Sequence, residues 1–414
     1  MTRRGRRVLL AVLRYGLCAA AIGYLVWKVP WHTHVRLAGE EKYVRLLEQR
    51  PQTGELVILR DGQREVVPLE RANFIDADGR RELDLEPGIR DVVTGIDWLW
   101  ALYAVLLFGP VWFLQSYRLV VMVGIQGVRL SYWNAIKLTF AGNFFNFALP
   151  GSTGGDLIKA YYLAHYTHLK TEVVTTVFLD RAIGLLGLVL LAAGGIALTW
   201  DPERFRELTV IIVILMAALG VGCVLVFSKR IRHALGLPAL AAALPAGDQI
   251  LRIGRATVAL RAHRLKTGLS LLITLALQAI VMVSAAAMGH ALGMRGPGGW
   301  TTQLLYFSIY VSIGFLLAAI PLTPQGIGVM ETAYVKFFIR GGLNTASQAL
   351  AFALAVRLIQ LVWAIPGVLV PLLGAHLPRR SELAELEGGP APSGAPAGPE
   401  PAPGATQQPL PGLK

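Results

Sequence analysis

Apolar runs about as long as a bilayer is thick recur along this chain, and they leave few folds open to it. A helix needs about 20 apolar residues to cross a membrane. Runs of that kind cover Val8–Val29, Trp98–Val123, Val173–Thr199, Leu208–Phe227, Gly268–Leu292, Thr302–Ile320 and Ala346–Leu373, with a shorter one at Asn134–Leu149. Charged residues make up 16% of the chain and hydrophobic ones 54%, against about 25% charge in soluble domains. The mean hydropathy is +0.53. The pattern predicts an all-α polytopic membrane protein with about seven to eight transmembrane helices.

The net charge of +13 does not point to nucleic acid, because of where it lies. Arg3, Arg4, Arg6 and Arg7 precede the first run, and Lys229, Arg230, Arg232, Arg252, Arg255, Arg261, Arg264 and Lys266 stand against the single acid Asp248. Basic clusters flanking apolar spans mark the cytoplasmic side and can meet anionic lipid. The expected location is the cell (inner or plasma) membrane, with a cytoplasmic N-terminus. Residues 1–30 read as an uncleaved first span, since Arg14 and Lys28 interrupt the apolar stretch and no small-residue cleavage site precedes Pro30. Cys18 and Cys223 both lie in apolar runs and form no disulfide or metal pattern.

Residues 31–97 differ in kind. They hold ten Lys/Arg and fourteen Asp/Glu. Glu55–Arg60 and Gln63–Glu70 flank Asp61-Gly62, and Asn73–Ala77 and Arg80–Leu85 flank Asp78-Gly79, which predicts two hairpins. Residues 35–50 read as a short helix. The segment is expected to be a small, mostly β, extracytoplasmic insert with a surface for an extracytoplasmic partner. The membrane domain is expected over 98–373, with a cytoplasmic basic loop at 229–267 whose 250–264 portion lies on the membrane. Residues 374–414, rich in Pro, Ala and Gly, read as a disordered tail.

Two segments cannot continue as ordinary helix. Pro150, Gly151, Gly154 and Gly155 interrupt the first, and Pro321, Pro324, Gly326 and Gly328 the second. Non-helical backbone at membrane depth must be buried in protein or line a wet cavity. If 134–165 crossed once, the basic 229–267 loop would fall outside; if it enters and returns, the loop falls inside. Both segments are therefore read as broken or re-entrant. A carboxylate follows each break, Asp156 or Glu331, and then a short helix with Tyr and Lys. Paired breaks in two halves point to a transporter-type site.

Ionisable groups within spans are costly and are functional candidates. The candidate lipid-headgroup site comprises Asn143, Asn146, Asp156, Lys159, Asp180, Arg181, Glu331 and Arg357. In one reading these line a polar chamber between the broken helices. In the other, Asp180, Arg181, Glu331 and Arg357 pair internally and lock helices together. Weaker motifs carry little. Asp76-Ala77-Asp78 sits at a hairpin turn, His32-Thr33-His34 lacks a third ligand, and Gly326-Ile327-Gly328 follows no strand. There is no HExxH, Walker A or Gly-x-Ser-x-Gly. No metal, cofactor or catalytic residue is expected, nor an enzyme activity.

Asn143-Phe144-Phe145-Asn146-Phe147-Ala148-Leu149-Pro150-Gly151 leads to Gly155-Asp156-Leu157-Ile158-Lys159-Ala160. Asp180-Arg181-Ala182-Ile183-Gly184 follows, then Pro321-x-Thr323-Pro324-x-Gly326-x-Gly328-x-x-Glu331 and Arg357. These motifs resemble the lysylphosphatidylglycerol synthase transmembrane region, or flippase-like family, over about residues 98–373; the 31–97 insert departs from it. The resemblance implies movement of lysyl-phosphatidylglycerol or another lipid between leaflets, without the soluble aminoacyltransferase domain that makes that lipid. The leading expectation is translocation of a phospholipid, aminoacyl-phospholipid or lipid-linked glycan with an anionic or phosphate-bearing headgroup, in which Arg181→Ala and Glu331→Ala abolish transport without loss of folding. Alternatives are a membrane-embedded transferase acting on a polyprenyl-linked or aminoacyl lipid, which product formation would reveal, and a non-transporting scaffold. The lipid, the energy source and the oligomeric state stay open.

Overall fold

The computed structural model describes residues 29–40, 42–50, 52–77, 80–148, 154–165, 170–199, 205–227, 262–320, 323–340 and 343–372, with Gly16 and Gly23. The first span, most of the basic 229–267 loop and the 374–414 tail lie outside the described residues, as do Pro150, Gly151, Pro321 and the Asp78-Gly79 turn. By internal contacts the chain divides into two compact units, Met1–Leu107 with Met282–Leu358, and Phe108–Val281 with Ile359–Lys414.

The protein is mostly helical. In chain order the helices are α1 (Ile89–Thr94), α2 (Trp98–Ile125), α3 (Tyr132–Ala148), α4 (Gly154–His165), α5 (Lys170–Thr199), α6 (Arg206–Phe227), α7 (Arg264–Ala291), α8 (Trp300–Ala319), α9 (Val329–Phe338) and α10 (Ala346–Ala364). Among the described residues, five helices are long and apolar enough to cross a membrane: α2, Val174–Thr199 of α5, α7, α8, and α10 with its continuation to Val368. Asp97 starts α2, its Oδ1 accepting from the backbone N–H groups of Leu99 (3.0 Å) and Trp100 (3.2 Å), as an acidic N-cap does.

The insert forms a five-stranded antiparallel sheet in the order β4-β3-β2-β1-β7 and a separate β5-β6 hairpin. Its strands are β1 (His34–Arg36), β2 (Tyr43–Arg50), β3 (Glu55–Arg60), β4 (Gln63–Pro68), β5 (Phe74–Ala77), β6 (Arg80–Leu83) and β7 (Leu85–Glu86). Both expected hairpins form. Asp61 (φ 49°) and Gly62 (φ 82°) close β3–β4, with Arg60 opposite Gln63; positive φ at both central residues is the two-residue turn whose twist suits a hairpin. The helix expected over 35–50 is not there: β1 and β2 occupy it. β2 pairs with β1 through Tyr43–Arg45 and with β3 from Arg45 to Arg50, so the two ladders together hold its length extended. Tyr43 and Val44 also lose side-chain freedom in a helix. Val35, Leu37, Leu56, Ile58, Val67 and Ala72 close one small core. Beside it the buried Asp84 accepts from Tyr43 Oη (2.9 Å) and Asn73 Nδ2 (3.1 Å) and pairs with Arg36 (3.5 Å). Burial first, and then the bond to Asp84, raise the Tyr43 phenol above its ordinary pKa.

In the second unit α3 and α4 run antiparallel. Asn146 of α3 meets Gly155 of α4, and Gly142, one turn earlier, meets Lys159, one turn later. The Gly155 Cα lies against the Gly142 carbonyl, where a Cβ has no room. In the first unit α8 and α9 do the same. Ala318 meets Gly326, Gly314 meets Tyr334, and the Phe307 ring packs at a tilt on Phe338, 4.9 Å between centroids. The short members, with 12 and 10 residues, are about 18 and 15 Å long at 1.5 Å per residue. Neither alone matches a hydrocarbon core of about 30 Å.

Candidate functional site

The second unit gathers six of the eight predicted site residues around the first break. Gly154 and Gly155 open α4, and the Gly155 N–H donates to Asn146 Oδ1 at 2.9 Å, supplying one of the acceptors a helix start lacks. Asn143 Nδ2 donates to Gln115 Oε1 of α2 at 3.1 Å. Asp156 lies in the first turn of α4 and takes an ion pair from Arg181 of α5, Nη1 to Oδ2, at 2.9 Å. Lys159 Nζ stands 3.9 Å from the other oxygen of Asp156. The methylenes of Lys159 rest on Gly142, where a side chain would collide with them.

Asp180 and Arg181 are neighbours in sequence but serve different partners. Adjacent helix residues do not share a face. Arg181 turns to Asp156, while Asp180 pairs with Arg118 of α2, Nε to Oδ1 at 2.8 Å and Nη2 to Oδ2 at 2.9 Å. Arg118 Nη1 also donates to the Thr274 hydroxyl of α7 at 2.8 Å. The Arg118 side chain is 5% exposed and Asp180 16%, so this is a buried pair. Gln278 of α7 donates to the Gly184 carbonyl at 2.7 Å, and Gly187 admits Thr274 and Gln278 close to the α5 backbone. Arg118, Gln115, Thr274 and Gln278 were not among the predicted residues. A cation at position 118 inside an apolar run was the one signal for Arg118.

The first unit builds the second break from the remaining two residues. A 3-10 turn, Pro324–Gly326, precedes α9. Gln325 (φ 55°), Gly326 (φ 64°) and Gly328 (φ 84°) all take the left-handed region, which a side chain tolerates poorly. A Cβ on Gly326 would also strike Ala318. Glu331 Oε2 accepts from the Gly328 N–H at 2.7 Å, and the same carboxylate holds Arg357 of α10 through both Nε and Nη2. Arg357 Nη1 donates to the Gln325 carbonyl at 3.2 Å. Glu331 is 4% exposed at its side chain and Arg357 14%.

The two clasps follow one plan. Asp156 and Glu331 are each the third residue of a short helix, α4 or α9. Arg181 and Arg357 are each the twelfth residue of the next long helix, α5 or α10. The separations within the pairs are 25 and 26 residues. The residue three beyond each carboxylate, Lys159 or Tyr334, packs on a glycine of the preceding long helix, Gly142 or Gly314. The helices that open the two series, α2 and α7, both have 28 residues. An internal repeat with slight sequence identity is thus plain in its geometry.

No curated protein and no solved structure matches the chain. A family profile does: the lysylphosphatidylglycerol synthase TM region matches residues 88–367. That stretch holds both clasps and the five long apolar helices found among the described residues, and this multi-pass membrane protein, related to lipid handling, belongs to the lysylphosphatidylglycerol synthase TM region family.

Proposed function

We propose that the protein carries a phosphate-bearing lipid between leaflets as a flippase-like transporter, and that it performs no covalent chemistry on its cargo. The observation that supports this most is the repeated clasp: a broken helix whose first turn is held by a carboxylate–guanidinium pair, partly buried in the first clasp and more deeply in the second. Plain spans need no breaks and no buried charge, and both are costly in lipid. In this reading both antiparallel pairs, α3–α4 and α8–α9, are re-entrant. The return of α3–α4 keeps the basic 229–267 loop cytoplasmic, in a cell membrane with the N-terminus on the same side.

The pairing divides the labour among the charges. Arg118, Arg181 and Arg357 each sit on a carboxylate: Arg181 and Arg357 fix α4 and α9 against the spans that follow them, and Arg118 ties α5 to α2. This favours a locking role for those pairs in the resting protein and moves headgroup binding to groups less fully engaged. Reconstitution in vesicles with a fluorescent phospholipid tests the function. Faster loss of inner-leaflet protection than in protein-free vesicles is expected. Rates no higher than in protein-free vesicles for anionic, zwitterionic and glycan-bearing lipids alike would refute translocation.

A further inference from the structure

The two clasps part company at one register position. Tyr334, three residues after Glu331, is fully buried and its hydroxyl donates to the Val311 carbonyl at 3.3 Å. Lys159, three residues after Asp156, is 6% exposed, yet among the described residues its ammonium makes no hydrogen bond. Its polar neighbour, Asp156 Oδ1, is 3.9 Å away, beyond hydrogen-bond reach, and that carboxylate is engaged by Arg181 at 2.9 Å. An ammonium has three donors to satisfy, and the long ion pair to Asp156 leaves this one with capacity for a further acceptor. The half built on Tyr334 has no such surplus, because Glu331 and Arg357 saturate one another.

We propose that Lys159 is the ligand for the cargo's phosphate, and that the site takes a phosphodiester headgroup carrying one net negative charge. This deepens the lipid-transport reading and rests on it. The ammonium is a compact point charge suited to phosphate oxygens. It lies over the first turns of α4, a 12-residue helix whose start carries partial positive charge. Asp156 sits in that same turn. Its carboxylate opposes a second negative charge, so a phosphomonoester lipid, with close to two charges at neutral pH, is disfavoured. Lys159 in turn repels a headgroup with net positive charge. A single-charge phosphodiester satisfies both constraints.

The test uses the purified, delipidated full chain and add-back of defined lipids, with bound lipid read by native mass spectrometry. Wild type should prefer phosphatidylglycerol to phosphatidylcholine and to phosphatidic acid by about tenfold or more, the weight of one charge-assisted contact. Lys159→Met should lose the preference over phosphatidylcholine, and Lys159→Arg should keep it. Asp156→Asn should raise binding of phosphatidic acid, which reads the same site should Lys159→Met fold poorly. Retention of the phosphatidylglycerol preference in a folded Lys159→Met overturns the assignment. Binding of inorganic phosphate in place of lipid, abolished by Lys159→Met, makes this a free-anion site and overturns the lipid assignment. Wild type that binds as described but moves no lipid in vesicles refutes transport and leaves the ligand assignment standing. Transport with an unchanged preference in Lys159→Met does the reverse.

Discussion

Glu331→Ala separates the structural from the transport role of the second clasp. The substitution removes three contacts at once: both bonds to Arg357 and the acceptor for the Gly328 N–H. Removing one partner of a buried ion pair costs about 3–5 kcal/mol because the other charge stays behind. Losing a helix cap costs about 0.5–2 kcal/mol. Together these reach about 4–7 kcal/mol, a large part of the stability of an ordinary domain, about 5–15 kcal/mol. The expectation from sequence that Glu331→Ala leaves folding intact is thus at odds with the geometry. Glu331→Gln keeps a neutral acceptor for Gly328 and should lose about half as much. The double substitution Glu331→Leu with Arg357→Met removes both charges, and apolar replacement of a whole pair is often neutral or better. It should therefore cost only about the cap, 0.5–2 kcal/mol. Denaturant unfolding in detergent, followed by tryptophan fluorescence, measures all three. A double variant no more stable than Glu331→Ala would refute the reasoning.

Other expectations follow from the same contacts. Asp180→Ala should destabilise by about 3–5 kcal/mol by stranding Arg118, read as a lower unfolding midpoint. Gly314→Ala should cost about 1–3 kcal/mol or more in the same assay, since the new methyl meets the buried Tyr334 ring. Gly268→Ala, with open space around it, should be neutral or stabilise by about 0.5–1 kcal/mol as a helical glycine replaced. In the insert, Gly62→Ala should cost about 1–2 kcal/mol, because φ there is 82°. Tyr43 has a folded pKa raised above 10.0. Its contribution to stability is therefore complete below the unfolded value and fades as pH rises through the folded one. Tyrosinate absorbance should show a late-titrating phenol that titrates earlier in Asp84→Ala, while burial still holds it above the ordinary value.

The breaks were legible because proline and glycine act locally: Pro150 to Gly155 and Pro321 to Gly328 cannot be read as plain helix. The hairpin at Asp61-Gly62 was legible for the same reason. β1 and β2 were not, since what makes residues 43–50 a strand is pairing with β1 at one end and with β3 over the rest, and only folding supplies partners. Charge pairing was also hidden. Asp180 and Arg181 look like one motif, but the turn of the helix sends them to α2 and α4, 62 and 25 residues away. The repeat was visible as two breaks with carboxylates, while its exact register needed the helix starts. Lys159 and Tyr334 occupy one position in that register with opposite chemistry, which composition alone could not show.

The most direct measurement of the central claim is transbilayer movement of labelled phosphatidylglycerol in vesicles reconstituted with the full chain, read as the fraction that becomes accessible to a membrane-impermeant quencher. Wild-type protein should expose the inner-leaflet pool, and Lys159→Met, folded by its thermal unfolding, should slow that exposure by about tenfold, the weight of one charge-assisted contact. A rate in wild-type vesicles no higher than in protein-free ones would contradict the account.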